Sequence, residues 1–82
     1  MKDQKTVVVT GCTKGLGRAM AEGFLKRGWN VAGCGRSGSE GEFFFRQVDV
    51  ANAEVVQGFA GEVIAEVGLP DLVINNSFLI LH

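Results

Sequence analysis

Residues 10–17 read Thr10-Gly11-Cys12-Thr13-Lys14-Gly15-Leu16-Gly17, three glycines spaced Gly-x-x-x-Gly-x-Gly between a β-branched run and a helical pattern. In that context the chemistry to expect is anion binding, and specifically the cradling of a diphosphate. Gly11 lets the chain turn sharply off a strand. Gly15 removes a Cβ where backbone must approach the anion, and Gly17 lets a helix pack closely on a sheet. The first N–H groups of that helix have no partners inside it and face the phosphates. The plain alternative is that the glycines only make a tight turn.

The elements that must position this loop follow from periodicity. Thr6-Val7-Val8-Val9-Thr10 is β-branched throughout and reads as a strand buried on both faces. From Gly15 to Arg27 the small and apolar residues Leu16, Ala19, Met20, Gly23 and Phe24 fall at helical spacing. Lys26 and Arg27 suit the last turn, and Gly28 is a natural stop. Asn30 to Cys34 reads as a short strand and Phe43 to Val48 as an aromatic-rich one. Asn52 is a plausible helix cap with Glu54 in the first turn, ahead of a stripe of Val56, Phe59, Ala60, Val63, Ile64 and Val67 that stops at Gly68. Pro70-Asp71 turns the chain into Leu72-Val73-Ile74, read as a last buried strand.

Strand, helix, strand, strand, helix, strand argues for an open parallel α/β sheet. One link is unusual. About eight residues, Gly35 to Glu42, separate the second and third strands, whereas a parallel crossover commonly takes about a dozen or more. A loop without a helix is expected there, and a reversed strand is the less favoured reading.

The glycine pattern behind Thr10, together with Asp49-Val50 at the end of the third strand, Asn75-Asn76 at the end of the fourth, and the lead-in Gly68-Leu69-Pro70-Asp71-Leu72-Val73, resembles the short-chain dehydrogenase/reductase family over residues 6 to about 76. The resemblance implies the N-terminal half of a Rossmann-type fold: an open parallel sheet of order 3-2-1-4 with helices, without the C-terminal strands. Residues 1–76 would be half of an NADP(H)-binding domain and residues 77–82 an atypical tail, with the family-like sequence stopping near Ser77. It implies a cofactor site of Gly11, Thr13, Lys14, Gly15, Leu16, Gly17, Arg36, Ser37, Asp49, Val50 and Asn75. Asp49 would contact adenine; as an alternative it is a polar turn residue, and the alternative for Asn75 is that it serves the sheet by bonding backbone groups of neighbouring strands.

An acidic side chain at the end of the second strand selects NAD and repels a 2′-phosphate. By analogy with the family that position is Gly35, so the repelling charge is missing. Arg36 can pair with a 2′-phosphate, Ser37 can add a hydroxyl, and Lys14 is a further cation, an arrangement similar to the family's NADP(H) users. The alternative is that Arg36 and Lys14 are solvated charges.

The family transfers a hydride between NADPH and a carbonyl or alcohol through a Tyr-x-x-x-Lys pair and a Ser. The sequence has no tyrosine, so no catalytic residue is assigned and the chain by itself is expected to be inactive. Ser77-Phe78 also stands where the family has Ala-Gly, which places a ring beside the nicotinamide side of the site. Other readings are a non-catalytic nucleotide-binding or interaction module, and an unstable truncated product.

Composition narrows the partners. A net charge of −1 gives no footprint for nucleic acid or a membrane surface. Two cysteines cannot form a disulfide framework, no cluster has metal-ligand spacing, and no apolar stretch reads as a leader or membrane span, so a cytoplasmic protein is expected. A helix N-terminus near Cys12 would lower its pKa, which leaves a regulatory thiol as one reading. The last strand should form an exposed sheet edge, through which self-association is expected.

Overall fold

The structure, a computed structural model, describes residues 4–12, 15–35, 41, 43–49 and 52–75 of the chain. In chain order the elements are β1 (Thr6–Thr10), α1 (Gly15–Lys26), β2 (Asn30–Gly35), β3 (Phe44–Gln47), α2 (Ala53–Glu66) and β4 (Leu72–Asn75). The four strands form one parallel sheet in the order β3-β2-β1-β4.

β1 is one of the two inner strands, and its side chains are apolar on both faces. Val7 and Val9 are fully buried on one face with Cys12, Ala21, Val31 and Phe45. Val8 is buried on the other with Ala32, Cys34, Val48, Phe59 and Val63. Alternation along the strand thus feeds two cores, one under each helix.

α1 covers the first face with a stripe one residue removed from the expected one. Gly17 and Ala21 are buried, and Phe24 and Leu25 pack against the core. Leu16 and Ala19, expected to pack, are exposed. The face is chosen by where the glycine allows the closest approach: helix spacing from Gly17 selects Ala21, Phe24 and Leu25. At the far end Arg27 is followed by Gly28 with φ 87°, a left-handed stop that glycine takes without strain.

α2 begins as expected. The Asn52 side-chain oxygen accepts the Glu54 and Val55 N–H groups at 3.0 and 3.2 Å. Its buried stripe is narrower than the six residues suggest, since only Phe59 and Val63 are buried, Val56 and Val67 are half-buried, and Ala60 and Ile64 are exposed. The helix rests on one sheet face, so the flank carrying Ala60 and Ile64 meets no layer among the described residues.

β3 pairs with β2 in parallel register, Ala32 opposite Phe44 and Gly35 opposite Gln47, which removes the reversed-strand reading. The loop expected between them lies largely outside the described residues. The short link is nonetheless sufficient. A strand of β3's length rises roughly 13 Å, while eight linking residues reach up to roughly 26–29 Å.

β4 is the sheet edge that the strand order implies, and not the buried strand that its apolar run suggests. Leu72 is 39% and Val73 58% exposed, because β4 has β1 on one side and no further described strand on the other. Its start is pinned to β1 by a reciprocal pair: the Thr6 N–H donates to Asp71 Oδ2 and the Asp71 N–H to the Thr6 carbonyl, each at 2.8 Å.

Candidate functional site

The strand order reverses at β1. From β1 the chain runs outward through β2 to β3, then returns through α2 to lay β4 on β1's other side. The order of the sheet therefore switches between β1 and β4, and beside their carboxyl ends lies the usual ligand crevice of such sheets. The glycine-rich junction sits at the mouth of that crevice.

Gly11 leaves β1 with φ 64°, a left-handed conformation that glycine adopts without steric cost. Its N–H and that of Cys12 both donate to the Cys34 carbonyl, at 2.8 and 3.2 Å. The loop is therefore tied to β2 as it leaves the strand. Gly15 opens α1 with φ 64°, and a Cβ added there would meet no described atom within 4 Å beyond its chain neighbours and the helix backbone. Gly17, two residues in, is buried. The first turn of α1 carries no acidic residue, so its N-terminal dipole stands without an opposing carboxylate of its own. Leu16 is 68% exposed beside it.

Across the crevice, Thr10 Oγ1 donates to Asn75 Oδ1 at 2.9 Å. Asn75 thus bridges β4 to β1, as its sheet-serving alternative anticipates, although the partner is a hydroxyl and not a backbone group. Asp49 is exposed two residues past β3, at the same end of the sheet, and its carbonyl accepts the Asn52 N–H at 3.0 Å ahead of α2. It stands two strand spacings from β1, roughly 10 Å. Gly11, Gly15, Leu16, Gly17 and Asn75 are gathered at the β1 end, and Asp49 lies along the same rim. Thr13, Lys14, Arg36, Ser37 and Val50 lie outside the described residues.

Sequence reasoning missed the Cys34 carbonyl as the loop's anchor and Thr10 as Asn75's partner. Neither has a local signal, because the residues that meet are separated along the chain and come together only through strand register.

Cys12 also departs from expectation. It is 2% exposed, and burial raises its thiol pKa where the helix terminus was expected to lower it. Cys34, 1% exposed, is pushed from 9.0 to about 11 by burial first and by the neighbouring Cys12 second. Both thiols are consequently protonated and poorly nucleophilic at neutral pH. Between pH 9.0 and about 11 the unfolded chain releases the Cys34 proton while the folded chain retains it. Stability therefore declines as pH rises through that window. Equilibrium unfolding from pH 8 to 11 should show a loss of stability that is shallower in Cys34→Ala; equal slopes would contradict the assignment.

Among the described residues no group of three His, Cys, Asp or Glu could hold a metal, and no helix is long and apolar enough to cross a membrane.

Fold and junction together define a doubly wound α/β protein with a glycine-rich strand-to-helix turn at its switch point. The sequence pattern of the family described as short chain dehydrogenase matches residues 5–79. The chain is 34% identical to the NADPH-dependent pterin aldehyde reductase of Arabidopsis thaliana, over 89% of this chain and 35% of that protein. It is 32% identical to a 3beta-hydroxysteroid dehydrogenase of Mediterraneibacter gnavus, over 95% of this chain and 33% of that one. In structure it is similar to ligand-free aldohexose dehydrogenase of Thermoplasma acidophilum, with a TM-score of 0.86 and 29% identity over 96% of this chain and 31% of that one. The chain belongs to the short chain dehydrogenase family, oxidoreductases that use nicotinamide dinucleotides. It spans about a third of the length of these relatives.

Proposed function

We propose that this chain is the cofactor-binding portion of an NADP(H)-dependent oxidoreductase acting on a carbonyl or alcohol. The observation that carries the reading is Gly15: a left-handed glycine at the head of α1, whose missing Cβ leaves open space at the crevice mouth. A diphosphate fits there, held by the first N–H groups of α1. The exposed Leu16 would cover part of the bound cofactor, and Gly11 and Gly17 would hold the loop and helix that frame it. Asp49, with Val50, would meet the adenine along the rim, and the Thr10–Asn75 pair would close the crevice on the β4 side.

Selection of the 2′-phosphate is assigned to Arg36, Ser37 and Lys14. It is supported by β2 ending on Gly35, which offers no carboxylate to repel a phosphate, and by the NADPH dependence named for the Arabidopsis relative. Wild type should bind NADPH at least about tenfold more tightly than NADH. Arg36→Glu should weaken NADPH by roughly thirtyfold or more, the equivalent of a charge-assisted hydrogen bond, and change NADH only a few-fold. Equal wild-type affinities in a fluorescence titration would refute the assignment.

The nicotinamide, when bound, supplies the redox chemistry. These 82 residues contain no tyrosine, so the chain alone should bind NADPH without reducing aldehydes or ketones. The setting is cytoplasmic in this reading. An interaction role is favoured by one observation: among the described residues no strand pairs the outer edge of β4, where Leu72 and Val73 are exposed. Self-association through that edge should appear as a concentration-dependent sedimentation coefficient, suppressed by Val73→Lys. A monomer at all concentrations would exclude it.

A further inference from the structure

Gly33 and Cys12 occupy one another's space. A Cβ added to Gly33 would overlap the Cys12 Sγ, and would lie 3.2 Å from both the Phe43 ring and the Val9 carbonyl oxygen. The thiol lies where a β2 side chain would otherwise stand. It belongs to the core formed with Val7, Val9, Ala21, Val31 and Phe45. Cys12 has a single side-chain torsion, so an atom inserted beneath its sulfur must rotate it out of its rotamer or lift the backbone.

The backbone in question is the diphosphate loop. Gly11 and Cys12 already donate their N–H groups to the Cys34 carbonyl. The side chain of Cys12 therefore completes a clamp on two successive β2 residues, Gly33 and Cys34. Two residues beyond Cys34 comes Arg36, assigned above to the 2′-phosphate. One strand end thus carries both the loop's seat and the residue expected to read the far end of the same ligand.

We infer that the Cys12 side chain seated on Gly33 is a positioning contact for the dinucleotide site, setting the loop's distance from the end of β2. The inference rests on the reading of the site given above. Packed interiors transmit displacements instead of absorbing them, so lifting the loop also moves the N–H groups at the head of α1.

The test is a double-mutant cycle in the full chain. NADPH affinity is measured by fluorescence titration well below the melting temperature. Maleimide labelling of each cysteine is followed in the cofactor-free protein by peptide mass mapping. Gly33→Ala should expel the thiol, so that Cys12 labels at least about tenfold faster while Cys34, on the opposite sheet face, stays protected, and NADPH binding weakens by about tenfold. Adding Cys12→Ala to Gly33→Ala makes room again and should restore affinity to within about threefold of Cys12→Ala alone. A purely structural role would lower the melting temperature without this rescue of affinity.

Unchanged Cys12 labelling in Gly33→Ala, or a double variant whose loss of affinity is the sum of the two single losses, overturns the inference. If wild type fails to bind NADPH, the functional reading falls, and the labelling of Cys12 alone decides the contact. Should Gly33→Ala not fold, Cys12→Ala decides. Faster amide exchange at Gly11 and at residue 12 with weaker NADPH binding supports the inference, and unchanged exchange and affinity refute it.

Discussion

Gly15→Val should reduce NADPH affinity by at least about a hundredfold, through two effects at one residue. Gly15 sits at φ 64°, where an ordinary L-residue is disfavoured by roughly 1–2 kcal/mol and a β-branched one by more. Relieving that strain means rotating the first peptide of α1, whose N–H is among those proposed to face the diphosphate. The second effect is steric. Apart from the flanking residues and α1's own backbone, no described atom lies within 4 Å of the added Cβ, so the valine would project into the space proposed for the ligand. A hundredfold loss corresponds to about 2.7 kcal/mol, within reach of the two effects together. Gly15→Ala should fall between wild type and valine. Titration with NADPH and with the fragment 2′,5′-ADP, alongside thermal melts, separates the terms: strain lowers the melting temperature, whereas steric exclusion does not. Wild-type affinity in Gly15→Val would remove the anion site from the head of α1.

Phe59→Ala should be the most damaging single truncation in the described core. Phe59 is 6% exposed, stacks on Phe44 at 6.4 Å between centroids, and joins Val8, Ala32, Cys34, Val48 and Val63 under α2. Emptying such a site costs about 3–5 kcal/mol. Domains are stable by about 0.05–0.15 kcal/mol per residue, so the loss approaches the whole stability of a chain this size. At roughly 4–8 °C per kcal/mol the melting temperature should fall by about 12–40 °C. Ile64→Ala is the control. Ile64 lies one residue beyond Val63 on the same helix but is 50% exposed, and its truncation should stay within about 0.5–1 kcal/mol. A melt of Phe59→Ala within a few degrees of wild type would mean that α2 is not held by this contact.

The elements were legible because the signals that specify them are local. Val7, Val8 and Val9 lie in an unbroken β-branched run, Asn52 precedes a helix whose first N–H groups it caps, and Gly28 and Gly68 stand where helices end, with φ of 87° and 120°. The order 3-2-1-4 came from the family resemblance, and the parallel pairing of β3 with β2 confirms that a short link suffices. Faces were harder to read. Leu16 and Ala19 lie on the exposed side of α1, and Ile64 on that of α2, because periodicity gives the spacing of a stripe while the neighbouring layer sets its position and width.

The primary structure alone determined where the strand-to-helix junction lies and which glycines serve it, since both follow from short-range backbone sterics that any fold must obey. Tertiary structure alone decided that Thr10 meets Asn75, that the Cys34 carbonyl anchors the loop, and that the Cys12 thiol is buried, with its pKa raised and not lowered. The physical reason is register. These groups lie far apart along the chain, and only the alignment of β1 against β2 and β4 brings them within hydrogen-bonding or packing distance.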